Sequence, residues 1–99
     1  MPVLALFNGK LTKEQYDILR AEVDWENKHP AGGVFHAASF DDDGNVHVAD
    51  VWESADELNA FAATALMPAF AKHNIMPPTV SVFPAYKVLA YASVDKYRA

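Results

Sequence analysis

The chain has 99 residues and no cysteine, 52% of its residues are hydrophobic, and its formal net charge is −5. This length allows one domain, and the lack of cysteine excludes disulfides, thiol nucleophiles and cysteine-based metal sites. The acidic balance disfavours duplex nucleic acid and anionic membrane surfaces as partners. The N-terminus does not resemble a signal peptide, and no apolar run approaches the roughly 20 residues of a membrane helix, so we expect a cytoplasmic protein.

The first part of the sequence predicts a strand followed by a capped helix. The apolar run from Val3 to Phe7 has β-strand character, and Asn8, in an Asn-Gly pair, indicates a turn at its end. Thr12 and Gln15 match a capping box, in which each side chain satisfies a backbone amide of the first helical turn. We expect the helix to end before the His29-Pro30 pair.

A hairpin and a second helix are predicted next. The runs from Val34 to Phe40 and from Val46 to Trp52 have strand character, with an acidic, glycine-containing turn between them. A second capping-box pattern starts at Ser54, and an apolar stripe at helical spacing extends from Leu58 to Phe70. Pro68 lacks the backbone N–H that a helix interior needs, so we expect a kink or a restart there.

The last third predicts a fourth strand from Thr79 to Phe83 and an additional strand from Tyr86 to Ala92. The element order is then βαββαβ plus a C-terminal strand, which is the α+β, ferredoxin-like split βαβ plan. We therefore expect a single domain over residues 1–99, with residues 86–99 as a C-terminal extension.

This plan places both helices on one face of the sheet and leaves the other face bare. On the bare face we expect Phe35, Ala37, Ala49 and Val51, all of them apolar. The sequence also contains more apolar material than a small two-layer monomer readily hides. We therefore expect a homodimer that forms through the open sheet face.

The segment from Asp50 to Ser54, followed by a capped helix with Phe61, resembles the dimeric α/β-barrel superfamily, in particular its small antibiotic-biosynthesis-monooxygenase-type domains. The resemblance covers the element order from residue 3 to about residue 85. It implies two sheets paired into a closed barrel. Some members are cofactor-free oxygenases of electron-rich aromatics, some degrade haem, and some have no known catalysis, so the resemblance leaves these three possibilities for the function.

Haem-degrading members of the superfamily carry an asparagine on the first strand, a tryptophan at the end of the third and a histidine on the following helix. Asn8 and Trp52 would take the first two places, but the next histidine, His73, lies beyond Pro68 and more than two turns too late. The resemblance therefore does not support haem degradation, and we expect no cofactor.

The main candidate catalytic pair lies on the predicted hairpin. A three-residue loop over Asp42–Gly44, with the glycine left-handed, would pair His36 with Asp50 beneath the helices. A two-residue loop would place His36 on the sheet face away from Asp50. We favour the longer loop because Asp41 suits the start of a type I turn. In that register Asp50 would orient His36 as a general base.

Five further residues are candidates for substrate binding: Asn8, Tyr16, Trp52, Phe61 and Phe70. The two polar side chains would supply polar contacts, and the three large aromatic rings would wall a cavity. Three of these residues, and the candidate catalytic pair, also have a structural interpretation. Trp52 and Phe61 suit sheet-to-helix packing, Asn8 suits a strand-ending turn, and the His36–Asp50 pair would satisfy itself within a polar island of the core.

No metal site is expected. The other histidines, His29, His47 and His73, lie in a loop, on the strand face opposite Asp50 and near a helix end. The acidic hairpin turn lacks the spacing and the later glutamate of an EF-hand loop.

These features lead to one main hypothesis and two alternatives. The main hypothesis is a homodimer that binds a small apolar or aromatic molecule in a helix-side cavity, as a cofactor-independent monooxygenase-like enzyme. The first alternative is a non-catalytic ligand-binding or stress-related module, and the second is a dimeric accessory domain whose cavity is filled by side chains. The sequence leaves the substrate open.

Overall fold

Four antiparallel strands and a layer of helices form the fold, in the order βαββαβ. The structure is a computed structural model that describes all 99 residues. Its elements are β1 (Val3–Lys10), α1 (Lys13–Val23), β2 (Gly33–Phe40), β3 (Asn45–Trp52), α2 (Ala55–Phe61), α3 (Met67–Lys72) and β4 (Thr79–Pro84). The sheet order is β2-β3-β1-β4, which is the ferredoxin-like arrangement that the sequence predicts. No helix is long and apolar enough to cross a membrane.

The core between sheet and helices consists of two apolar clusters. The larger cluster lies among the start of α1, α3 and β3, and contains Leu11, Leu19, Val46, Ala69, Phe70 and Ile75. The smaller cluster lies between β1 and α2, and contains Val3, Ala5, Trp52 and Leu58. Both clusters use the sheet face that the helices cover.

β1 is longer than predicted. The Asn-Gly pair does not end the strand, because Asn8 pairs with His47 and Gly9 pairs with Val46. Gly9 serves a close approach rather than a turn, since a Cβ at this position would lie 3.0 Å from the Cα of Pro78. The first helix does begin as predicted, with both hydrogen bonds of the Thr12–Gln15 capping box in place.

Pro68 restarts the helix without ending it. A π-helical turn, Ala62–Leu66, joins α2 to α3, and Pro68 sits in the first turn of α3, where its missing N–H costs least. α3 ends at Lys72, and Asn74, two residues later, takes a left-handed conformation with a φ of 54°. The amide of Ile75 then donates to the carbonyl of Phe70, which closes the helix end.

The predicted additional strand from Tyr86 to Ala92 is wrong. The chain leaves the sheet after Ala85, whose amide donates to Pro2, and residues 86–91 form neither helix nor strand. A 3₁₀-helical turn, Ala92–Tyr97, follows. The apolar composition gives this segment strand character, but a strand needs a hydrogen-bonding edge, and the segment pairs with none in the chain.

The uncovered face of the sheet changes from apolar to polar along the strands. The cross-strand registers place its residues in three rows: Phe35, Val51, Leu4 and Phe83; Ala37, Ala49, Leu6 and Ser81; Ser39, His47, Asn8 and Thr79. We call the first two, which are apolar except for Ser81, the apolar rows, and the third the polar row. Phe35 and Phe83 are 46% and 51% exposed, so the apolar rows leave large side chains uncovered in one chain.

Replacing Leu19 with alanine tests the core. Leu19 is 2% exposed, so Leu19→Ala would lower the free energy of unfolding by about 2–5 kcal/mol through lost burial and the remaining cavity. Leu89→Ala is the matched control, because Leu89 is 65% exposed and its replacement would change stability by less than about 0.5 kcal/mol. Urea unfolding followed by circular dichroism measures both, and equal midpoints would contradict this core assignment.

Candidate functional site

The β2–β3 turn sets which side chains share the helix-side face of the sheet. Gly44 is left-handed, with a φ of 81°, and the amide of Asp41 donates to the carbonyl of Asn45 across the end of the hairpin. This is the predicted three-residue loop, and it pairs His36 with Asp50. The favoured register is therefore confirmed, and the two-residue turn is excluded.

Four side chains form one hydrogen-bonded chain beneath and beside α1. The indole Nε1–H of Trp52 donates to Asp50 Oδ2 at 3.1 Å. The other carboxylate oxygen, Oδ1, lies 2.7 Å from His36 Nδ1. On the far side of the imidazole, His36 Nε2 lies 2.7 Å from the hydroxyl of Tyr16. The structure thus brings together both predicted catalytic residues and two of the predicted binding residues.

The chemistry of these groups fixes the direction of each hydrogen bond. An ionised carboxylate only accepts, so His36 donates its Nδ1–H to Asp50. In a neutral imidazole Nε2 is then the acceptor, and the Tyr16 O–H donates to it. Asp50 is the buried charged residue of the protein, whereas the His36 side chain is 37% exposed. The row of hydrogen bonds therefore runs from a buried carboxylate to a phenol at the rim.

Two aromatic rings enclose the outer end of this chain. Trp25 lies 5.6 Å from Tyr16 and 5.5 Å from His36, centroid to centroid, and Phe40 meets the Tyr16 ring edge-on at 5.7 Å. The planes of the Tyr16 and His36 rings are nearly parallel, 9° apart with their centroids 6.1 Å apart, and a hydrogen bond joins the two side chains. Trp25 lies against both rings.

Trp25 is the member of this group that the sequence does not assign to the site. In the structure α1 ends at Val23, and Asp24 takes a left-handed conformation that redirects the chain. Trp25 therefore reaches His36 from a turn, and the signal that would have found it is the Asp24 stop just before it.

Asn8 does not join this cluster, which corrects the prediction that it contacts the same ligand. β1 alternates, so Ala5 faces the helices and Asn8 faces the open side. There the Asn8 amide oxygen lies 2.7 Å from His47 Nδ1, and His47 Nε2 lies 2.8 Å from Asp41. Asn8 and Trp52 consequently lie on opposite faces of the sheet, so this chain does not assemble the first two positions of the haem-degrading pattern.

Phe61 and Phe70 flank the site from two different core clusters. Phe61 lies 5.3 Å from the Trp52 ring, centroid to centroid, and packs against the smaller cluster. Phe70 is buried in the larger cluster, against which Tyr16, Trp25 and Phe40 pack. Both rings support site residues from within the core. Two shallow hollows, of about 190 and 260 Å³, are lined by other residues of the helix layer and touch neither His36 nor Trp52.

Burial and nearby charges change the pKa of Tyr16, the outermost residue of the row of hydrogen bonds. Burial raises the pKa of Tyr16, because the phenolate loses hydration, and the Arg20 guanidinium opposes this effect only in part. The charges of Asp50, Glu26 and Asp17 raise the pKa of Tyr16 further. The environment thus holds Tyr16 as a neutral phenol, which can both donate and accept a hydrogen bond.

No group of three or more histidine, aspartate or glutamate side chains is placed to hold a metal ion. His36 and His47 lie on opposite faces of the sheet, as the alternation of β2 and β3 requires. On the open face, hydrogen bonds from His47 and from the backbone of Asn45 hold the pKa of Asp41 far below its usual range. The Asp41 carboxylate accepts hydrogen bonds from the backbone amides of Asp43 and Asn45 and so stabilises the turn.

Comparison with known proteins supports the fold. No protein-family model matches the chain, and no curated protein sequence matches it. Among solved structures, a Chloroflexus aurantiacus protein described as a "putative antibiotic biosynthesis monooxygenase" superimposes with a TM-score of 0.65 at 14% identity, covering 91% of this chain and 98% of its own. Rv0793 from Mycobacterium tuberculosis gives 0.64 at 15% identity, covering 91% of this chain and 100% of its own.

SnoaB from Streptomyces nogalater, described as a cofactor-independent oxygenase and solved as the mutant N63A, gives a TM-score of 0.60 at 16% identity, covering 91% of this chain and 96% of its own. At these identities the similarity establishes the fold. The chain has the ferredoxin-like fold of the small antibiotic-biosynthesis-monooxygenase-type domains, as the motif around Trp52 predicts.

Phenol ionisation tests the environment of Tyr16. Of the four tyrosines, Tyr86, Tyr91 and Tyr97 are exposed, whereas Tyr16 is half-buried. Burial raises the pKa of Tyr16, so its ionisation should fall at the high-pH end of the rise in phenolate absorbance. Tyr16→Phe would therefore remove absorbance change at that end. Loss of absorbance change at the low-pH end instead, in protein that circular dichroism shows to be folded, would contradict this environment.

Proposed function

We propose that the protein binds a small aromatic molecule with a phenolic hydroxyl beside Tyr16 and acts on it as a cofactor-independent monooxygenase-like enzyme. The observation that carries this proposal is the hydrogen-bonded chain from Trp52 through Asp50 and His36 to Tyr16. Such a chain holds an imidazole in one tautomer and connects it to the protein surface. The fold similarity to an oxygenase supports the type of reaction.

The proton path of this reaction passes through Tyr16. His36 Nε2 already accepts the Tyr16 proton, so a ligand hydroxyl would donate to the Tyr16 oxygen. When the ligand proton moves to Tyr16, the Tyr16 proton moves to Nε2, and the imidazolium is paired with Asp50. This makes His36 the final base and Tyr16 the group that contacts the ligand, whereas the sequence suggests direct contact with His36.

The resulting phenolate is electron-rich enough to react with dioxygen as co-substrate. In the conversion of a phenol to a quinone, a C–O bond forms at a ring carbon while its C–H bond and the O–O bond break. The second oxygen atom leaves as water with the hydrogen of that carbon and the hydrogen of the hydroxyl. The phenol supplies all four electrons, so the reaction balances without an external reductant.

A ligand-binding module without turnover is the second candidate. It is favoured by the fact that both ring nitrogens of His36 are hydrogen-bonded within the chain. An aromatic molecule would then lie against the Tyr16 and His36 side chains, and no proton would move. The two candidates predict the same ligand contacts and differ only in whether oxygen is consumed.

We also propose that two copies of the chain pair through their open sheet faces. The apolar rows run across all four strands and expose Phe35 and Phe83. A face of this composition is costly in water and gains free energy when a second apolar face covers it. The polar row would lie at one edge of the contact, where its side chains keep their hydrogen bonds.

Oxygen uptake with a panel of polycyclic phenols tests the enzymatic proposal. We expect turnover in the wild type, and a fall of about 10²- to 10⁴-fold in His36→Ala, because the final base is lost. Asp50→Asn should also reduce turnover, since an amide can donate to Nδ1 and favour the other tautomer. The control is His73→Ala, because His73 pairs with Glu22 outside the chain of four.

Two outcomes of this experiment would contradict parts of the proposal. Turnover that survives both His36→Ala and Asp50→Asn would remove these residues from the reaction. Binding of the phenols by the wild type, shown by calorimetry, with no oxygen uptake would reject the monooxygenase and leave the ligand-binding module.

Sedimentation tests the dimer. We expect the wild type to sediment as a dimer and Phe35→Asp to sediment as a monomer, because a carboxylate in the apolar rows would be buried without a partner. Ser39→Asp is the matched control on the same strand and face, since Ser39 belongs to the polar row. A wild type that remains monomeric at high concentration would refute pairing through this face.

A further inference from the structure

We propose that protonation of His36 reverses the hydrogen-bond chain and thereby changes which ligand group the site accepts. With His36 neutral, the site takes a hydrogen-bond donor such as a hydroxyl or an amine. With His36 protonated, it takes an acceptor such as a carbonyl. This inference rests on the proposed function, because it concerns the aromatic ligand at Tyr16.

The inner end of the chain is the same in both states. Asp50 Oδ2 accepts from the Trp52 indole, which has no alternative role because an indole N–H only donates. Oδ1 accepts from His36 Nδ1, so Nδ1 carries a proton whether or not the ring is charged. The two states of the imidazole therefore differ at Nε2 alone.

The outer end converts this difference into a change of ligand. Tyr16 has one hydroxyl proton, and when Nε2 is bare that proton points to His36, which leaves the oxygen lone pairs for a ligand donor. When Nε2 carries a proton, it donates to the Tyr16 oxygen over the same 2.7 Å, and the hydroxyl proton turns outward. Tyr16 then donates, and only an acceptor satisfies it.

The surrounding charges favour an uncharged ligand. The charged groups acting on Tyr16 are Asp50 from β3, Asp17 and Arg20 from α1, and Glu26 from the following turn. Arg20 is already paired with Glu26 and lies 3.8 Å from Asp17. With His36 neutral, three carboxylates against one guanidinium disfavour a ligand that arrives as an anion.

Two probes with the same ring system test the reversal. We would measure binding of 2-naphthol, a donor, and 2-acetonaphthone, an acceptor, by calorimetry from about pH 5 to about pH 8, the range in which histidine side chains ordinarily change charge. As the pH rises, the affinity for naphthol should increase and that for acetonaphthone should fall, each by about three- to tenfold. Tyr16→Phe should abolish both trends, whereas Tyr97→Phe, at an exposed tyrosine, should preserve them.

Nitrogen NMR of His36 tests the mechanism without a ligand. We expect Nδ1 to stay protonated throughout and Nε2 to lose its proton as the pH rises; a neutral ring protonated at Nε2 would overturn the inference. Parallel pH trends for the two probes would also overturn it while leaving the aromatic site intact. Failure of both probes to bind would reject the inference and the proposed ligand site together.

Discussion

Asp50 carries a buried charge, and the site is arranged around what that charge requires. An ionised carboxylate removed from water is stable only when its oxygens accept hydrogen bonds. The protein supplies one donor from Trp52, two residues along the same strand, and one from His36 on the neighbouring strand. The Trp52 donor comes with the strand itself, whereas the His36 donor depends on the register of β2 against β3. That register is therefore the constraint from which the geometry of the site follows.

The register in turn depends on a short turn far from the site. The left-handed Gly44 and the Asp41 carboxylate, which accepts from two amides of the loop, fix a three-residue connection. A loop shorter by one residue would move His36 to the open face and leave Asp50 without its imidazole. The turn thus acts on chemistry several residues away without contacting any ligand.

The sequence predicts the features of the site that follow from strand alternation and from the type of turn. Strand alternation allows two faces, and turn chemistry chooses between them, so the His36–Asp50 pair follows from a few residues. The predictions that β1 ends at Asn8 and that the C-terminal segment forms a strand are wrong for the same reason. The Asn-Gly pair and the apolar run at Tyr86–Ala92 are local signals, whereas strand ends are decided by hydrogen-bonding partners distant in sequence. The role of Trp25 is not predicted from the sequence, because its position depends on the residue at which α1 ends.

The edge strand β2 connects the two proposed roles of the molecule. Its residues alternate between the site, through His36, and the apolar rows, through Phe35 and Ala37. An edge strand is held by hydrogen bonds on one side only, and β2 has a bulge between Gly33 and Phe35 just before the imidazole. A second copy packed on the open face would contact Phe35 and Ala37, the residues on either side of His36. Pairing would then reduce the mobility of β2, so that dimer formation and the position of the base would both depend on the same eight-residue strand.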